Sequence, residues 1–367
     1  MPRAKVEHQY KNDQLMCLLE ISITLNSTLD LDKTLTYIIQ TAAEVLGCEA
    51  VSILLYDPVK SDLFFAASSA SDPIQLSEIP VPLNESLAGK IFLENAPLII
   101  NNVEKDPRHF AVAAQHVNFH TRSLLGVPMR IQDQGVGVLE ALNKRRGVFT
   151  SADEKILSII ASQAAVAIRN AKQMKELELA YETTLEGWSN VLDLRDEETE
   201  GHTIRVAQLT VQLARELGIS GDELSHIHHG ALLHDIGKMA IPDRVLLKPG
   251  PLTKEEWEIM RQHPVFAYNF LLPITYLRPA IDIPYCHHEK LDGNGYPRGL
   301  KGNEIPFPAR IFAVVDVWDA LTSNRPYRTA WSKEQTLSYI RGEAGSHFDP
   351  RVVEAFLGIG QNGSLEQ

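Results

Sequence analysis

His234 and Asp235 stand side by side at the end of the apolar run Ala231-Leu232-Leu233, and Ile236-Gly237-Lys238 follows. A charged pair among apolar residues is unfavourable unless something compensates it. A cation held between a neutral imidazole and a carboxylate is the simplest compensation. Adjacent helix residues point roughly 100° apart and can flank a shared centre, and the two oxygens of a carboxylate can bridge two metals. Lys238, at i+4 from His234, faces the same side and can bind a phosphate oxygen. Taken alone, the dipeptide reads as a buried hydrogen-bonded pair.

Other residues of ligand type in the same half change that reading. Glu198 and His202 lie four apart, on one face of a helix. His263 ends a helix just before Pro264, His287-His288 is a second adjacent pair, and Asp316 interrupts the apolar run Ile311-Phe-Ala-Val-Val. A single zinc takes about four ligands, so this set of imidazoles and carboxylates implies two or three metals. Mixed nitrogen and oxygen donors without thiolate favour iron or manganese. Two such metals stabilise both the attacking and the leaving oxygen of a phosphoryl transfer, which makes phosphodiester hydrolysis the natural chemistry. A di-iron oxygenase is the rival. Lys238, with Arg325 and Arg328 in Asn324-Arg-Pro-Tyr-Arg, favours a phosphate substrate.

These residues need a scaffold, and beyond Asp193 the sequence predicts an almost wholly helical one. Helices are expected at Thr203–Leu217, Asp222–His234 and Ile311–Leu321, with another running to Arg261 from a Thr253/Glu256 capping box. Asp-Gly and Asn-Gly turn signals mark a loop from Asp292 to Leu300. The first half alternates instead. Helix-spaced apolar residues cover Leu15–Leu25 and Leu35–Leu46, the second capped by Asp32 and closed by Gly47. Strands are expected at Ala50–Tyr56, Leu63–Ala67, Pro97–Ile100, Leu124–Ile131 and Val136–Leu142, with Gln134-Gly135 turning the last pair. Asp153–Ala171 returns to helix. Central strands with flanking helices predict an α+β domain built on an antiparallel sheet.

An apolar stripe steps by four and three through Ile160, Ala164, Ala167, Ala171, Met174, Tyr181, Leu185, Trp188 and Leu192, with Glu178 its one polar member. The pattern is heptad-like. It predicts a long helix over 153–195 that joins two domains. Its 160–192 part reads either as packing on those domains or, more sharply, as a parallel coiled coil of a homodimer.

The chain has 367 residues, and at roughly 100–200 residues per domain two domains are expected. Their boundaries are read as a segment 1–14, a domain 15–172 and a domain 173–367. The net charge of −12 comes with no Lys/Arg block, which argues against general binding of nucleic acid or of an anionic membrane. Cys17, Cys48 and Cys286 form no CxxC pair, so neither a disulfide scaffold nor a zinc knuckle is indicated, and a reduced cytoplasm is the default. The first 14 residues hold no apolar signal core. No run approaches the roughly 18–20 apolar residues of a membrane span.

The motifs His202…Arg205-Val206, Leu233-His-Asp-Ile-Gly-Lys238, Ile241-Pro-Asp243, Lys248-Pro-Gly250, His263-Pro264, His287-His-Glu289, Asp292-Gly-Asn-Gly-Tyr-Pro297, Asp316…Asp319-Ala-Leu-Thr322, Arg325-Pro-Tyr327 and His347-Phe-Asp-Pro350 follow one another in order. Together they resemble the HD-GYP branch of the HD phosphohydrolase superfamily, over about Asp193 to Leu357. The resemblance implies an all-helical bundle that hydrolyses the second messenger cyclic di-GMP to linear pGpG, and in some members on to GMP. It implies metal ligands at Glu198, His202, His234, Asp235, His263, His287, His288 and Asp316. Asp235 and Lys238 would be the catalytic residues, with Lys238 beside the scissile phosphate, and Tyr296, Arg325 and Arg328 would contact substrate. Members with an acid four residues before the first histidine are described as trinuclear, and others as dinuclear; here Glu200 rivals Glu198 for that place. The Gly295-Tyr296-Pro297 loop would dock diguanylate cyclase (GGDEF) domains. A phosphodiesterase preferring cyclic GMP-AMP and a non-catalytic dinucleotide receptor are the alternatives. His226, His228 and His229 match no ligand position, Asp319 reads as a structural hydrogen-bond acceptor, and Asp243 and His347 read as loop residues that stabilise the bundle.

The first half, from about Leu15 to Ala171, resembles a GAF domain. Asn143-Lys144 followed by Phe149 and Asp153-Glu154 looks like a motif of cyclic-nucleotide-binding members, in which the Lys and Asp form a supporting salt bridge. The resemblance implies a sensor for a small ligand that regulates the second domain through the long helix. Without a cysteine near His116 or His120, a covalent bilin is not expected.

Overall fold

A computed structural model describes residues 30–70, 76, 79–103, 106, 119–196, 201–324 and 329–361. The expectations for 1–14, Leu15–Leu25, Glu198, Glu200, Arg325 and Arg328 lie outside the described residues. Residue contacts divide the chain into two compact units between Glu178 and Leu179.

In the first unit, α1 (Leu31–Leu46) is capped by Asp30, whose side chain accepts from the Lys33 amide at 3.1 Å. The expected cap, Asp32, sits inside the first turn instead, because Leu31 is already helical; its charge there still suits the positive end of the helix dipole. Gly47 closes α1 as expected.

Five strands follow: β1 (Cys48–Asp57), β2 (Asp62–Ser68), β3 (Leu98–Ile100), β4 (Leu124–Ile131) and β5 (Gln134–Lys144), with α2 (Leu87–Glu94) between β2 and β3. They form one antiparallel sheet in the order β2-β1-β5-β4-β3. β1 is covered on both faces, which is why its sequence is an apolar run. Ile53 and Leu55 join α1 and residues 157–168 in one core, while Leu54 packs with Leu87, Ala88 and Ile91 of α2 in another. The β4–β5 turn falls on Gln132-Asp133 rather than the expected Gln134-Gly135, for Ile131 pairs with Gln134 and Arg130 with Gly135. Gly135 answers to packing: a Cβ there would stand 2.6 Å from the Phe92 ring. The expected supporting contact is present, with Lys144 Nζ 2.6 Å from Asp153 Oδ1.

α3 (Ser151–Asp196) runs unbroken for 46 residues, through both units. The sequence stripe is divided along it. Ile160, Ala164, Ala167 and Ala171 are buried in the first unit, and Leu185 and Leu192 are buried further on. Met174, Tyr181 and Trp188 stay 37%, 46% and 44% exposed, and Leu177 and Val191 are exposed as well. Part of the stripe is therefore taken up by packing within the units.

The second unit is helical among the described residues: α4 (His202–Glu216), α5 (Asp222–Leu232), α6 (Lys254–Met260), α7 (His263–Leu271), α8 (Asp282–Cys286), α9 (Phe307–Thr322), α10 (Lys333–Gly342) and α11 (Pro350–Gln361). The Thr253/Glu256 capping box forms as read. α9 lies at the centre. Ile311 to Val315 are all buried, so this helix is apolar nearly all round, and it packs on α4, α8, α10 and α11. No described helix is long and apolar enough to cross a membrane.

Candidate metal centre

Seven of the eight residues read as ligands come together. Asp235, His263, His287 and His288 form one group and His202, His234 and Asp316 another, the ligand atoms within each lying within 4.8 Å of one another. The eighth, Glu198, lies outside the described residues.

Helix ends do most of the positioning, where helix faces were expected. His202 is the first residue of α4, and Gly201 before it has φ 72°, a left-handed conformation that suits glycine. The helix starts at His202. α5 stops at Leu232, so His234 and Asp235 occupy the turn between α5 and the 3-10 segment Ile236–Ala240 that carries Lys238. His263 opens α7 rather than ending a helix, because Pro264 fits the first turn, where its missing N–H is not needed. His287 caps the end of α8, and Asp316 projects from the middle of α9. The 3-10 segment passes so close to α7 that a Cβ on Gly237 would stand 1.9 Å from the His263 carbonyl oxygen.

The imidazoles are oriented by their outer nitrogens. Nδ1 of His234 is 2.9 Å from the Ala231 carbonyl, Nδ1 of His263 is 2.9 Å from that of Met260, and Nδ1 of His287 is 3.2 Å from those of Ile283 and Pro284. A carbonyl only accepts, so each Nδ1 carries a hydrogen and each Nε2 is turned inward. Nε2 of His263 and Nε2 of His287 face each other at 3.4 Å. His202 Nδ1 pairs instead with Asp319 Oδ2 at 2.6 Å, and Arg205 Nε donates to Asp319 Oδ1 at 3.0 Å. Asp319 is thus an acceptor behind the site, and His202 Nε2 faces Asp316 Oδ1 at 3.8 Å.

Asp235 stands between the groups. Its Oδ2 lies 3.1 Å from His234 Nε2, and its Oδ1 lies 3.2 Å from His263 Nε2 and 3.7 Å from His287 Nε2. Oδ1 is buried with no hydrogen-bond donor, an arrangement that is unfavourable unless a cation sits there. The residues present therefore fit a metal cluster. Burial alone would raise the Asp235 carboxyl, yet the Lys238 ammonium and His234 hold it well below the usual carboxylate range. Burial pushes His263 down to about 3 and, with His287 and His263 beside it, pulls His288 down as well, which keeps these rings neutral. Burial also opposes charge on His234, but the Asp235 carboxylate lifts it to about 9. A metal there must displace that proton.

Lys238 Nζ is 2.8 Å from Asp235 Oδ2 and also pairs with Asp196. Tyr296 lies over His288, ring centroids 4.7 Å apart, and the Arg261 guanidinium stands 5.3 Å from the Tyr296 ring. The loop bearing Tyr296 is held by the buried Glu289, whose carboxylate accepts from the amides of Arg298 and Leu300. His229 belongs to neither group and is buried beside Glu182 and Tyr276. Asp196, Arg261 and the role of Glu289 were not singled out from the sequence. Only its contact with Lys238, across 42 residues of chain, reveals Asp196.

Residues 186–352 match the family model described as HD domain, and residues 28–169 match the one described as GAF domain. The chain carries a GAF domain followed by an HD domain. The chain is 42% identical, across 186 residues, to the "Cyclic di-GMP phosphodiesterase response regulator RpfG" of Xanthomonas campestris, a match that covers 50% of this chain and 49% of that protein. It is 47% identical over 169 residues to a "Cyclic di-GMP phosphodiesterase" of Thermotoga maritima, covering 45% of each. It is 36% identical over 207 residues to the "3'3'-cGAMP-specific phosphodiesterase 2" of Vibrio cholerae, covering 56% of this chain and 40% of that one. The chain thus spans about half the length, or less, of these relatives. Both groups of imidazoles and carboxylates fall inside the HD domain.

Proposed function

We propose that this chain is a metal-dependent phosphodiesterase that hydrolyses cyclic di-GMP to pGpG under control of its GAF domain. One observation supports this above others: the two oxygens of Asp235 face two separate groups of imidazoles. That is the donor set for two bridged cations, as phosphodiester cleavage requires. The relatives named as cyclic di-GMP phosphodiesterases supply the substrate class.

In this reading His202, His234, Asp235 and Asp316 hold one divalent cation and Asp235, His263, His287 and His288 another, with Glu198 a further metal ligand. Donors of nitrogen and oxygen without sulfur favour iron or manganese. When bound, such ions supply the positive charge that stabilises the attacking and leaving oxygens. Lys238 directs its ammonium group to the same place and orients a phosphate oxygen there. Tyr296, whose ring lies against His288, would contact the nucleotide. Arg325 and Arg328 complete the phosphate contacts in this reading.

The proposal extends to assembly and regulation. The exposed Met174, Leu177, Tyr181, Trp188 and Val191 would pair two copies along α3. A small ligand in the GAF domain would act through the same helix. The exposed Asn294, Arg298 and Gly299 around the Tyr296 loop would meet a diguanylate cyclase domain. The cysteines and acidic charge fit a cytoplasmic protein.

The similarity to a 3'3'-cGAMP-specific enzyme favours a second substrate reading. Purified chain loaded anaerobically with iron or manganese, and given cyclic di-GMP and 3'3'-cGAMP in competition, separates the two. Preferential formation of pGpG supports the proposal, preference for 3'3'-cGAMP supports the alternative, and binding without cleavage of either contradicts both.

A further inference from the structure

The last two turns of α3 touch the segments that carry the candidate ligands, one after another. Ser189 Oγ donates to the Leu232 carbonyl at 2.5 Å, two residues before His234. Asp193 Oδ1 accepts from Thr203 Oγ1 at 2.6 Å, next to His202. Arg195 reaches past Asp235: its guanidinium donates to the carbonyls of Met239 at 2.8 Å and Ile241 at 3.0 Å, and to Asp243 Oδ1 at 2.7 Å. Asp196 pairs with the Lys238 ammonium group. All four residues lie within the second unit, on a helix that begins in the first.

We propose that Arg195 and Asp196 are positioning residues that set Lys238 against Asp235, so that the end of α3 is the part of the helix that the phosphodiesterase site responds to. A lysine side chain has several rotatable bonds and one compact charge, so it needs two partners to define its place. Asp235 supplies one and Asp196 the other. The 3-10 segment Ile236–Ala240 has no side-chain cap at its N-terminal end. Arg195 closes its other end by donating to the carbonyls of Met239, within the segment, and Ile241, just beyond it. Consecutive residues on one helix thus hold the backbone and the charge of the same segment. A helix is stiff along its axis, so a rotation or shift at Asp196 moves Lys238 with it.

This inference rests on the proposed phosphodiesterase activity for its kinetic arm only. In manganese-loaded full chain, Asp196→Asn is expected to lower kcat by about ten-fold or more, with KM within about two-fold and metal content unchanged. Asp196→Glu, which keeps the carboxylate, should retain more of the rate. In a Lys238→Met background, Asp196→Asn should change kcat by less than about two-fold, because residues that act as a unit are not additive. Equal losses in both backgrounds, or no loss with Lys238 present, would overturn the role of Asp196. The second arm needs no substrate. Arg195→Gln is expected to speed amide exchange at 236–241 by about five-fold or more and leave α9 unaffected; unchanged exchange there would overturn the role of Arg195. A wild-type chain that cuts neither dinucleotide would instead contradict the proposed function, and the exchange measurement alone would then decide the clamp.

Discussion

Asp319 Oδ2 lies 2.6 Å from Nδ1 of His202, and the same carboxylate takes Arg205 at its other oxygen. The pair fixes the His202 ring so that Nε2 faces Asp316. Burial would raise the Asp319 carboxyl, but His202 and Arg205 keep it lowered, so it stays ionised behind the imidazole. Asp319→Asn keeps the shape and removes the charge. Outer partners of this kind are worth about 10- to 100-fold in metal affinity or activity, and a loss in that range is expected, read by titrating manganese into the metal-stripped chain. An affinity unchanged by the substitution would mean that Asp319 only packs.

Gly237 is where the Lys238 segment meets α7. Its missing side chain admits the His263 carbonyl to 1.9 Å from where a Cβ would be, and the Ala267 amide to 2.7 Å. Both are backbone atoms and cannot swing away. Gly237→Ala should push His234-Asp235 and His263 apart and destabilise the HD domain by about 1–3 kcal/mol, as overpacking of cores does. Denaturant unfolding of the full chain reads the stability, and metal content reads the separation.

Glu140 is a carboxyl buried on β5 of the GAF domain, opposite Ser52 on β1. Burial raises it from 4.5 to about 7. Between those values the folded chain keeps a proton that the unfolded chain has lost. The stabilising protonation is complete below about pH 4.5 and is lost as pH rises through about 7. Stability should therefore fall by about 3 kcal/mol across that window through this group alone. Glu140→Gln should flatten the dependence and stabilise the sheet unit at pH 8. The measurement is its unfolding transition at several pH values, and a slope unchanged by the substitution would refute the assignment.

The donor set was legible because chemistry constrains residue type: imidazoles and carboxylates set in apolar runs, such as Asp316 after Ile311-Phe-Ala-Val-Val, are costly to bury without a cation or a hydrogen-bonding partner. The short apolar runs that mark the sheet strands were legible for a similar reason, since Leu124–Ile131 must bury its side chains and pair at its edges. Helix ends were harder. Pro264 is compatible with ending one helix or opening the next, and only packing against the Gly237 segment selects the second. The turn between β4 and β5 was misread because Gly135 serves the Phe92 ring rather than the backbone. Contacts across long stretches of chain, such as Asp196 with Lys238, leave no local trace at all. The apolar stripe on α3 shows a further ambiguity: a seven-residue repeat looks the same whether its partner is the chain's own core, as for Leu185, or something outside it, as Trp188 allows.

The central claim is that Asp235 joins two groups of donors into one cluster of cations. Elemental analysis of anaerobically purified chain, wild type beside Asp235→Ala, tests it most directly, with turnover of cyclic di-GMP followed on the same samples. Wild type should hold two or three divalent ions per chain, and the variant should lose most of them together with all hydrolysis. A wild-type chain that holds no stoichiometric metal, or a variant that keeps its full complement and its rate, would contradict the claim.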